Sequence, residues 1–332
     1  MVRMRFAVLS FAHIHAWSYA RVLKDLPEAE LVAIYDDSEE RLKNAGETYG
    51  VKRLYSDVEE LFRNEELDAV VITSENSKHH ALALAAVEAG KHVLVEKPIA
   101  TNLRDADDMV TRARKGGVKL QTAFVMRYHE SALKAKEAIS SGSLGKIIAI
   151  TATNHGKYPG LWFGDPRLAG GGAVMDHTVH VADLSRWYTG DEFSKVFAHI
   201  GRNIRDELEV EDNGLLMCDT KRGTKVSIDC SWSRPDTYPA WGDVYMGVMC
   251  EEGYLVLDAF RSNVSLVQSG RPLVHHYFGS DADRNMISDF IEVVRSDGEP
   301  RATGYDGRQA LEVALAAYES SRTGRVISVP LY

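Results

Sequence analysis

The sequence predicts an α/β protein made of two domains. Over residues 1–122, short apolar segments alternate with amphipathic helical segments, an order typical of βαβ units and of a doubly wound parallel sheet. Over residues 123–332, several strand-like segments follow each other with short turns, which indicates an α+β domain with a large, mostly antiparallel open sheet. With 332 residues, the chain is long enough for each domain to bury its own core.

Hydrophobic periodicity places the individual elements. In the first domain it predicts strands at Phe6–Leu9, Leu31–Tyr35, Ala69–Thr73, His92–Val95 and Lys119–Phe124, and helices at His15–Leu26, Ser38–Gly50, His79–Gly90 and Asp105–Lys115. In the second domain it predicts helices at His129–Ser140, Ala173–Tyr188, Asp283–Ser296 and Asp306–Arg322. The strands predicted there are Lys146–Asn154, Lys195–Ile200, Gly214–Asp219, Lys225–Trp232, Asp243–Cys250, Tyr254–Leu257 and Val264–Gln268.

Composition and charge narrow the class of protein. A formal net charge of -9 argues against nucleic acid as a partner, because nucleic-acid binding usually needs a basic face. The three cysteines have neither metal-ligand spacing nor an even count, so we interpret them as buried, reduced thiols. The sequence has no full signal region and no apolar stretch of membrane-spanning length, so a cytoplasmic protein without a membrane partner is expected.

The turn after the first strand is where a doubly wound sheet would bind the pyrophosphate of a dinucleotide. The expected fingerprint is G-x-G-x-x-G, but residues 10–15 are SFAHIH, with no glycine. Ser10 and Ala12 are small, so the backbone could still approach a phosphate. His13 and His15 are candidate donors to phosphate oxygens, although histidines at the surface near a helix start are an equal alternative.

Two acids, Asp36 and Asp37, follow the second strand. An acid at this place, about 20 residues after the turn, typically accepts hydrogen bonds from the adenine ribose. Its charge would also repel a 2′-phosphate, which favours NAD over NADP. The alternative interpretation is an acidic turn, or a cap of the helix that starts near Ser38.

Two further segments hold chemically reactive residues. The first runs VVITSENSKH at 70–79, EAGKHV at 88–93 and EKP at 96–98; the second is GGGAVMDHTVH at 170–180, followed by Asp183. Together these segments resemble the glucose–fructose oxidoreductase / inositol dehydrogenase / rhizopine-catabolism (Gfo/Idh/MocA) family. The resemblance extends over nearly the whole chain.

The resemblance implies a Rossmann NAD-binding domain, then a domain whose open sheet often forms the interface of a homodimer or homotetramer. It also implies an active site between the domains, with Lys97, Asp176 and His180 as catalytic residues, and a cis peptide before Pro98. The implied activity is NAD(H)-dependent hydride transfer to or from a secondary alcohol of a sugar, cyclitol or related polyol. Arg127 is expected to reach the substrate or the nicotinamide.

The expected binding residues follow from the same positions. Expected to bind the cofactor are Ser10, Ala12, His13, Ile14, Asp36, Asp37, Ser74, Asn76, His79, Glu96, Lys97 and Arg127. Expected to bind the substrate are Lys97, Arg127, His155, Trp162, Asp176, His177 and His180, and no metal is expected. The sequence departs from the family in its glycine-free turn, in Glu75, where proline is common, and in His177, where a small or apolar residue is common. The last departure indicates an unusual substrate pocket.

The chemistry is also consistent without the family. Oxidation of an alcohol needs a base for the hydroxyl proton while hydride leaves the carbon, and imidazole, as in His180, exchanges protons near neutral pH. Lys97 can stabilise developing alkoxide charge. Asp176 lies one helical turn before His180, so the two share a helix face.

These residues also have purely structural interpretations. The Asp176–His180 pair could be a surface contact of a helix, and the Glu-Lys-Pro segment a plain strand end. A zinc-dependent sugar enzyme using Asp176, His177 and His180 is the alternative enzyme. A dinucleotide-binding sensor without catalysis is the alternative outside enzymes.

Overall fold

The computed structural model describes residues 2–261, 263–266, 274–277, 279 and 281–332. The chain forms two compact units, the first from Met1–Val125 and Asp281–Arg308, and the second from Met126–Ser280 and Gln309–Tyr332. The first break lies close to the predicted domain boundary after residue 122. The segment Asp281–Arg308, which the sequence analysis placed with the second domain, packs within the first unit.

The first unit contains a six-stranded sheet. Its elements in chain order are β1 (Met4–Leu9), α1 (His15–Asp25), β2 (Ala29–Tyr35), α2 (Glu39–Tyr49), β3 (Arg53–Tyr55), α3 (Val58–Asn64), β4 (Ala69–Ile72), a 3₁₀ turn (Asn76–Lys78), α4 (His79–Glu88), β5 (His92–Val95), α5 (Leu103–Gly116) and β6 (Leu120–Thr122). The strands lie in the order β3-β2-β1-β4-β5-β6 and every pairing is parallel. The predicted doubly wound parallel sheet is confirmed.

Strand register brings the ends of these strands to one edge. Leu9 pairs with both Tyr35 and Ile72, Ile72 pairs with Val95, and Val95 pairs with Thr122. The strand order reverses between β1 and β4, which is the point where such sheets bind ligands. The residues that follow β1, β2, β4 and β5 therefore meet at this switch point.

The second unit is built on a seven-stranded sheet. The remaining elements are a 3₁₀ turn (Val125–Tyr128), α6 (Glu130–Ser140), β7 (Ile147–His155), a 3₁₀ turn (Leu161–Gly164), α7 (Pro166–Ala169), α8 (Ala173–Thr189), β8 (Phe193–Gly201), β9 (Asn213–Thr220), β10 (Lys225–Ser231), β11 (Tyr245–Cys250), β12 (Tyr254–Asp258), β13 (Asn263–Leu266), β14 (Val274–Tyr277), α9 (Ala282–Ser296), α10 (Gly304–Thr323) and β15 (Ile327–Ser328). The order is β12-β11-β7-β10-β9-β8-β15, and only β7 and β10 pair in parallel among these neighbours. The predicted mostly antiparallel sheet is confirmed.

The two faces of this sheet differ. Helix α8 contacts β7, β9 and β10 on one face. Alternate residues of the strands point away from α8, and several of them are large, apolar and at least half exposed: Leu215, Met217, Met249, Tyr254 and Val256. Exposed apolar side chains on the outer strands of a sheet face are typical of an interaction surface.

Three glycines lead into α8, and either backbone conformation or packing favours glycine at each position. Gly170 has a left-handed φ of 79°, which favours glycine. A Cβ on Gly171 would overlap with the Tyr318 hydroxyl, and a Cβ on Gly172 would overlap with the carbonyl oxygen of Glu211. The start of α8 therefore lies too close to its neighbours for side chains at Gly171 and Gly172.

The structure differs from the predicted elements in a few places. β6 ends at Thr122 instead of Phe124, because the N–H of Phe124 turns back and donates to the Thr122 carbonyl at 2.7 Å. β3 and α3 were not predicted. The strand predicted at Val264–Gln268 corresponds to β13, and its last two residues lie outside the described residues. Among the described residues, no helix is long and apolar enough to span a membrane.

Candidate active site

The turn after β1 keeps the shape of a glycine turn without a glycine. Ser10 has a φ of 77°, the left-handed conformation that favours glycine. Its N–H donates to the Tyr35 carbonyl at 2.7 Å, and its Oγ accepts from the Ala12 N–H at 3.2 Å and donates to Asp36 Oδ2 at 3.3 Å. Asp36 Oδ2 also accepts from the Phe11 N–H at 2.6 Å. These bonds hold a strained residue in place at the expected phosphate-binding turn.

Asp36 and Asp37 have different surroundings. Asp36 is fully buried, and its Oδ1 accepts from the Ser38 N–H at 2.8 Å and from Arg41 Nε at 3.0 Å. The Asp37 side chain is 40% exposed and pairs with Arg41 and Lys78. Burial raises the pKa of Asp37, but Lys78 and Arg41 outweigh this and hold it below its usual value. Asp36 therefore anchors the turn, while Asp37 faces solvent beside two cations.

Beside the turn, Glu96 is the centre of a buried polar cluster. Its Oε1 accepts from the Tyr19 hydroxyl at 2.6 Å and lies 2.9 Å from His15 Nδ1, while its Oε2 accepts from the Lys97 N–H at 2.9 Å. Burial raises the pKa of Glu96, but His13, His15 and Lys97 outweigh this and hold it well below its usual range. Glu96 is therefore a buried carboxylate.

The Glu96 carboxylate also raises the pKa values of His15 and Tyr19 beside it. Burial lowers the pKa of His15, but the charge and hydrogen bond of Glu96 outweigh it and raise the pKa above its ordinary value. Burial, with help from Glu96, raises the pKa of Tyr19 well above its ordinary value. The cluster thus keeps a proton on Tyr19 and favours one on His15. Ile14, the N-cap residue of α1, has no side-chain cap.

Within the described residues, His13, His15 and Glu96 are the one group of His, Cys, Asp or Glu whose ligand atoms all lie within 4.8 Å of one another. The N–H of His15 donates to His13 Nδ1 at 3.1 Å. In a neutral imidazole, Nε2 can bind a cation only if Nδ1 carries the proton. Nδ1 of His13 instead accepts a hydrogen bond from the His15 N–H. Asp176, His177 and His180 form no such group in the described part of the chain.

The residues after β4 and β5 are tied to each other. His79 is buried, and its Nδ1 lies 2.9 Å from the Pro98 carbonyl while its Nε2 lies 3.2 Å from the Ser74 carbonyl. Burial lowers the pKa of His79, and this outweighs the two carbonyl contacts, which raise it. Asn76 begins the following 3₁₀ turn and is also buried. Lys97 is 4% exposed and precedes a cis peptide to Pro98, as the resemblance implied.

In the second unit, Asp176, His177 and His180 lie on α8. Asp176 is in the first turn, where the helix dipole favours a carboxylate, and its Oδ2 accepts from Trp232 Nε1 at 3.1 Å. His177 is 3% exposed and contacts both Asp176 and the Asn154 carbonyl. His180 is half-buried one turn further along. The expected residues Asp176 and His177 are thus brought together.

Arg127 and Trp162 are held within the same unit. Arg127 forms a fork with Asp183, Nε to Oδ2 at 2.7 Å and Nη2 to Oδ1 at 2.6 Å, and both side chains are at most 4% exposed. Trp162 stacks on Phe163 with ring centroids 3.9 Å apart. Roles of Arg127 at the nicotinamide and of Trp162 at the substrate stay predictions.

His155 is clamped between two carboxylates. Its Nε2 lies 3.0 Å from Asp229 and its Nδ1 lies 3.2 Å from Asp243, which also accepts from Arg234 at 2.6 Å and from the Thr153 hydroxyl at 2.7 Å. The hydrogen bond to Asp243 raises the pKa of His155 above its ordinary value, and burial lowers it by less. Burial raises the pKa of Asp243, but His155, Arg234 and Thr153 outweigh this and hold it well below its usual range.

Sequence reasoning missed the partners of these residues. Tyr19, one helical turn after His15, could have been found from its spacing on α1. Asn154 and Asp243 carry no local signal, because their contacts with His177 and His155 join residues 23 and 88 positions apart.

Comparisons with known proteins agree with this geometry. Residues 5–124 match the GFO/IDH/MocA model described as an oxidoreductase family with an NAD-binding Rossmann fold, and residues 132–256 match a GFO/IDH/MocA C-terminal domain. The chain is 30% identical to the myo-inositol 2-dehydrogenase of Thermotoga maritima over 98% of each protein. The chain belongs to the GFO/IDH/MocA family.

Other similar proteins extend the comparison. The chain is 24% identical to the scyllo-inositol 2-dehydrogenase (NAD(+)) of Bacillus subtilis, over 98% of this chain and 96% of that enzyme. The crystal structure of a probable dehydrogenase from Thermotoga maritima superposes with a TM-score of 0.84 at 29% identity, covering 98% of each chain. Family membership confirms the predicted NAD-binding Rossmann fold and the predicted enzyme class, an oxidoreductase.

The His155 clamp predicts a stability that depends on pH. Because the folded-state pKa is raised, the protonated ring adds stability below the ordinary histidine value of about 6.5, and this is lost as pH rises through the folded-state value. We expect His155→Gln to cost about 1.5–3 kcal/mol at low pH, the scale of a hydrogen bond to a charged group, and much less at high pH. Urea unfolding at pH 6 and pH 9 measures this.

The control is His199→Gln, since His199 is exposed and has no ion pair in the part of the chain that the structure describes. Its effect on the free energy of unfolding should be small at both pH values. A His155→Gln cost that is the same at pH 6 and pH 9 would contradict the clamp.

Proposed function

We propose that the chain is an NAD(H)-dependent dehydrogenase that transfers a hydride to or from a secondary alcohol of a sugar, cyclitol or related polyol. The main support is the similarity over 98% of the chain to an enzyme named myo-inositol 2-dehydrogenase. The turn after β1 supports the coenzyme, because Ser10 keeps the left-handed conformation that lets backbone approach a phosphate. The strand order at the switch point fits the same ligand.

The direct test is to incubate the purified protein with NAD and a panel of inositols, aldoses and linear polyols. NADH formation, followed by its absorbance, should appear with at least one cyclic polyol or sugar. If no compound gives NADH and millimolar NAD or NADP fails to raise the melting temperature, the proposal is wrong, because a ligand specific to the folded state must stabilise it.

Lys97, Asp176 and His180 are the proposed catalytic residues. NAD, when bound, accepts or returns the hydride. His180 takes the hydroxyl proton during oxidation and returns it during reduction. Lys97 donates to the reacting oxygen and stabilises the charge that develops there, and Asp176 orients the substrate hydroxyl. The low exposure of Lys97 supports its role, because a charge acts more strongly where water is excluded.

Lys97→Ala is expected to lower kcat by about 10²–10³-fold, because it removes a donor needed mainly in the transition state. The Kd for NAD, measured by fluorescence titration, should change by less than about threefold. Lys91→Ala is the matched control, since Lys91 precedes the same strand at its opposite end. A near-wild-type kcat in Lys97→Ala would remove Lys97 from catalysis.

We further propose that Asp36 and Asp37 make the enzyme prefer NAD over NADP. Asp36→Ala should weaken NAD binding by about tenfold and reduce discrimination against NADP, because it removes both a charge and the anchor of the turn. Asp37→Ala leaves the anchor intact and should reduce discrimination while affecting NAD less. The Kd values of each variant for NAD and for NADP test this.

Comparison of the two variants separates the effect of the carboxylate charge on coenzyme binding from its effect on the structure of the turn. If Asp36→Ala weakens NAD and NADP equally and Asp37→Ala changes neither, the acids act only in forming the turn. Melting temperatures of both variants without coenzyme report how much of the effect comes from the fold.

The exposed apolar face of the seven-stranded sheet supports a homodimer or homotetramer. Met217, 69% exposed, lies on this face. Met217→Glu should shift the protein toward a lower mass in light scattering, because it places a charge in the proposed interface. Ile204→Glu, an exposed apolar residue outside the sheet strands, is the control. An unchanged mass in Met217→Glu would contradict the interface.

A further inference from the structure

The start of α8 has four backbone N–H groups, those of residues 172–175, that find no acceptor within the helix. The first bond within the helix runs from the N–H of Asp176 to the carbonyl oxygen of Gly172, at 2.9 Å. Gly172 is the N-cap residue, and because it has no side chain it cannot cap the helix itself. These four groups therefore need acceptors from other parts of the chain.

Two residues, Glu211 and Tyr318, accept hydrogen bonds from all four groups. Glu211 Oε1 accepts from the N–H groups of residues 172 and 174 at 2.8 and 3.0 Å, and the Glu211 carbonyl oxygen accepts from that of residue 173 at 3.0 Å. The N–H of Met175 donates to the Tyr318 hydroxyl at 3.1 Å, and this hydroxyl donates to Glu211 Oε1 at 2.7 Å. We call Glu211 and Tyr318 together the α8 cap.

The two glycines beside the α8 cap give it room. A Cβ on Gly171 would overlap with the Tyr318 hydroxyl, and a Cβ on Gly172 would overlap with the carbonyl oxygen of Glu211. Glu211 lies two residues before β9, whereas Tyr318 lies on α10. The cap therefore ties the start of α8 to two other elements of the second unit.

The α8 cap contains a carboxyl group whose charge is costly. Burial raises the pKa of Glu211, and the hydrogen bonds from Tyr318 and from the backbone lower it by less. Because the folded protein holds this proton more tightly than the unfolded chain, the charged form lowers stability above the folded-state pKa. Burial, with help from Glu211, raises the pKa of Tyr318 well above its ordinary value, so its hydroxyl remains a donor.

An ordinary cap would avoid this cost. A serine or asparagine at the N-cap position accepts from the first turn of a helix without a charge that has to be buried. The α8 cap is therefore not explained by the stability of the helix alone.

The α8 cap also affects the carboxylate of Asp176 in the same turn. Acidic side chains in a first turn commonly accept from the N–H groups at the helix start. Here Glu211 and Tyr318 already accept from all four of these groups. Asp176 Oδ2 instead accepts from Trp232 Nε1 at 3.1 Å. The cap thus leaves the carboxylate for partners other than the backbone of its own helix.

The opposite end of α8 has a cap of a different kind. Arg222 Nη2 donates to the carbonyl oxygens of Thr189 and Gly190 at 2.7 and 2.6 Å, and Arg222 is exposed. Because α8 has 17 residues, these bonds lie far from the turn that carries Asp176. Arg222 therefore provides a matched control, since it stabilises the same helix at its other end.

We propose that Glu211 and Tyr318 are positioning residues for the reaction, because they fix the first turn of α8 and with it the orientation of the Asp176 carboxylate. The proposal rests on the proposed function, since it requires that Asp176 acts on the substrate. Both residues act through the backbone of α8. A fixed first turn sets the direction of the carboxylate before the substrate binds, so this orientation does not have to be gained in the transition state.

Substitution of Glu211 tests the role of its acceptor oxygen. Glu211→Ala removes the acceptor for two N–H groups, whereas Glu211→Gln keeps an acceptor oxygen at the same place. We expect kcat to fall by about 10–10²-fold in Glu211→Ala and to stay within about threefold of the wild-type value in Glu211→Gln. The KM for the polyol and the Kd for NAD should change much less than kcat in both variants. All assays are run well below the lowest melting temperature of the set.

Two further variants complete the set. Tyr318→Phe removes the acceptor for the N–H of Met175 and should also lower kcat, so it carries the same test if Glu211→Ala does not fold. Arg222→Ala, the control, should lower the melting temperature with little change in kcat. A loss of kcat in Arg222→Ala equal to that in the cap variants, or no rescue by Glu211→Gln, would overturn the proposal.

A second measurement does not depend on activity. Hydrogen exchange of the backbone N–H groups of residues 172–175, followed by mass spectrometry, reports how often the start of α8 opens. We expect slow exchange in the wild type, in Glu211→Gln and in Arg222→Ala, and faster exchange in Glu211→Ala and Tyr318→Phe. Unchanged exchange in both cap variants would overturn the proposal, because the cap would then not fix this turn.

Failure of this proposal and failure of the proposed function give different results. A wild-type kcat in Glu211→Ala and Tyr318→Phe, in a protein that oxidises polyols with NAD, would overturn the positioning role alone. Absence of NAD-dependent activity in the wild-type protein would overturn the proposed function and, with it, the role of the α8 cap in catalysis.

Discussion

The buried carboxylate of Asp36 is the constraint on which the nucleotide end of the protein depends. It accepts from the backbone N–H groups of Phe11 and Ser38 and from Arg41. Each bond to a charged acceptor contributes about 1.5–3 kcal/mol. The left-handed conformation of Ser10 costs about 1–2 kcal/mol for a residue with a Cβ. The carboxylate can therefore offset the strain that a glycine would have avoided.

This constraint links three elements. Because Asp36 follows β2 and binds both the turn after β1 and the start of α2, it sets the relative position of all three. The register of β1, β2, β4 and β5 brings their ends to the same edge, so the buried Glu96 lies beside the same turn. A fold that lacks the glycine fingerprint can thus keep the geometry that the fingerprint normally provides.

The sequence predicted most of the fold, because the strands of a covered parallel sheet are continuous apolar runs and the helices between them are amphipathic. It missed β3, whose three residues are exposed or half-buried, and α3, although Asp57 caps it. It also placed α9 with the second domain, because chain order does not reveal which unit a late helix packs against. Phe124 was assigned to a strand because its apolar character did not reveal the turn at Thr122.

The sequence predicted which residues belong to the candidate site, but it did not predict which other residues they contact. Lys97, Asp176 and His180 were identified from a pattern along the chain, and their catalytic roles stay predictions. The partners of His155 and His177 were not predictable, because Asp243 and Asn154 reach them only through sheet pairing and packing. His177 had suggested an unusual pocket; its ring instead contacts the neighbouring carboxylate and a backbone carbonyl.

The glycines before α8 show what a sequence motif can record. Gly170, Gly171 and Gly172 are each required by a different constraint: a left-handed backbone, a tyrosine hydroxyl and a carbonyl oxygen. All three constraints belong to the architecture of the fold and none to a reacting group. A descendant of this chain that lost its activity would keep the three glycines for as long as it kept its helix α8. Such a motif therefore reports ancestry and shape, whereas evidence for chemistry has to come from the ionisable side chains that follow it.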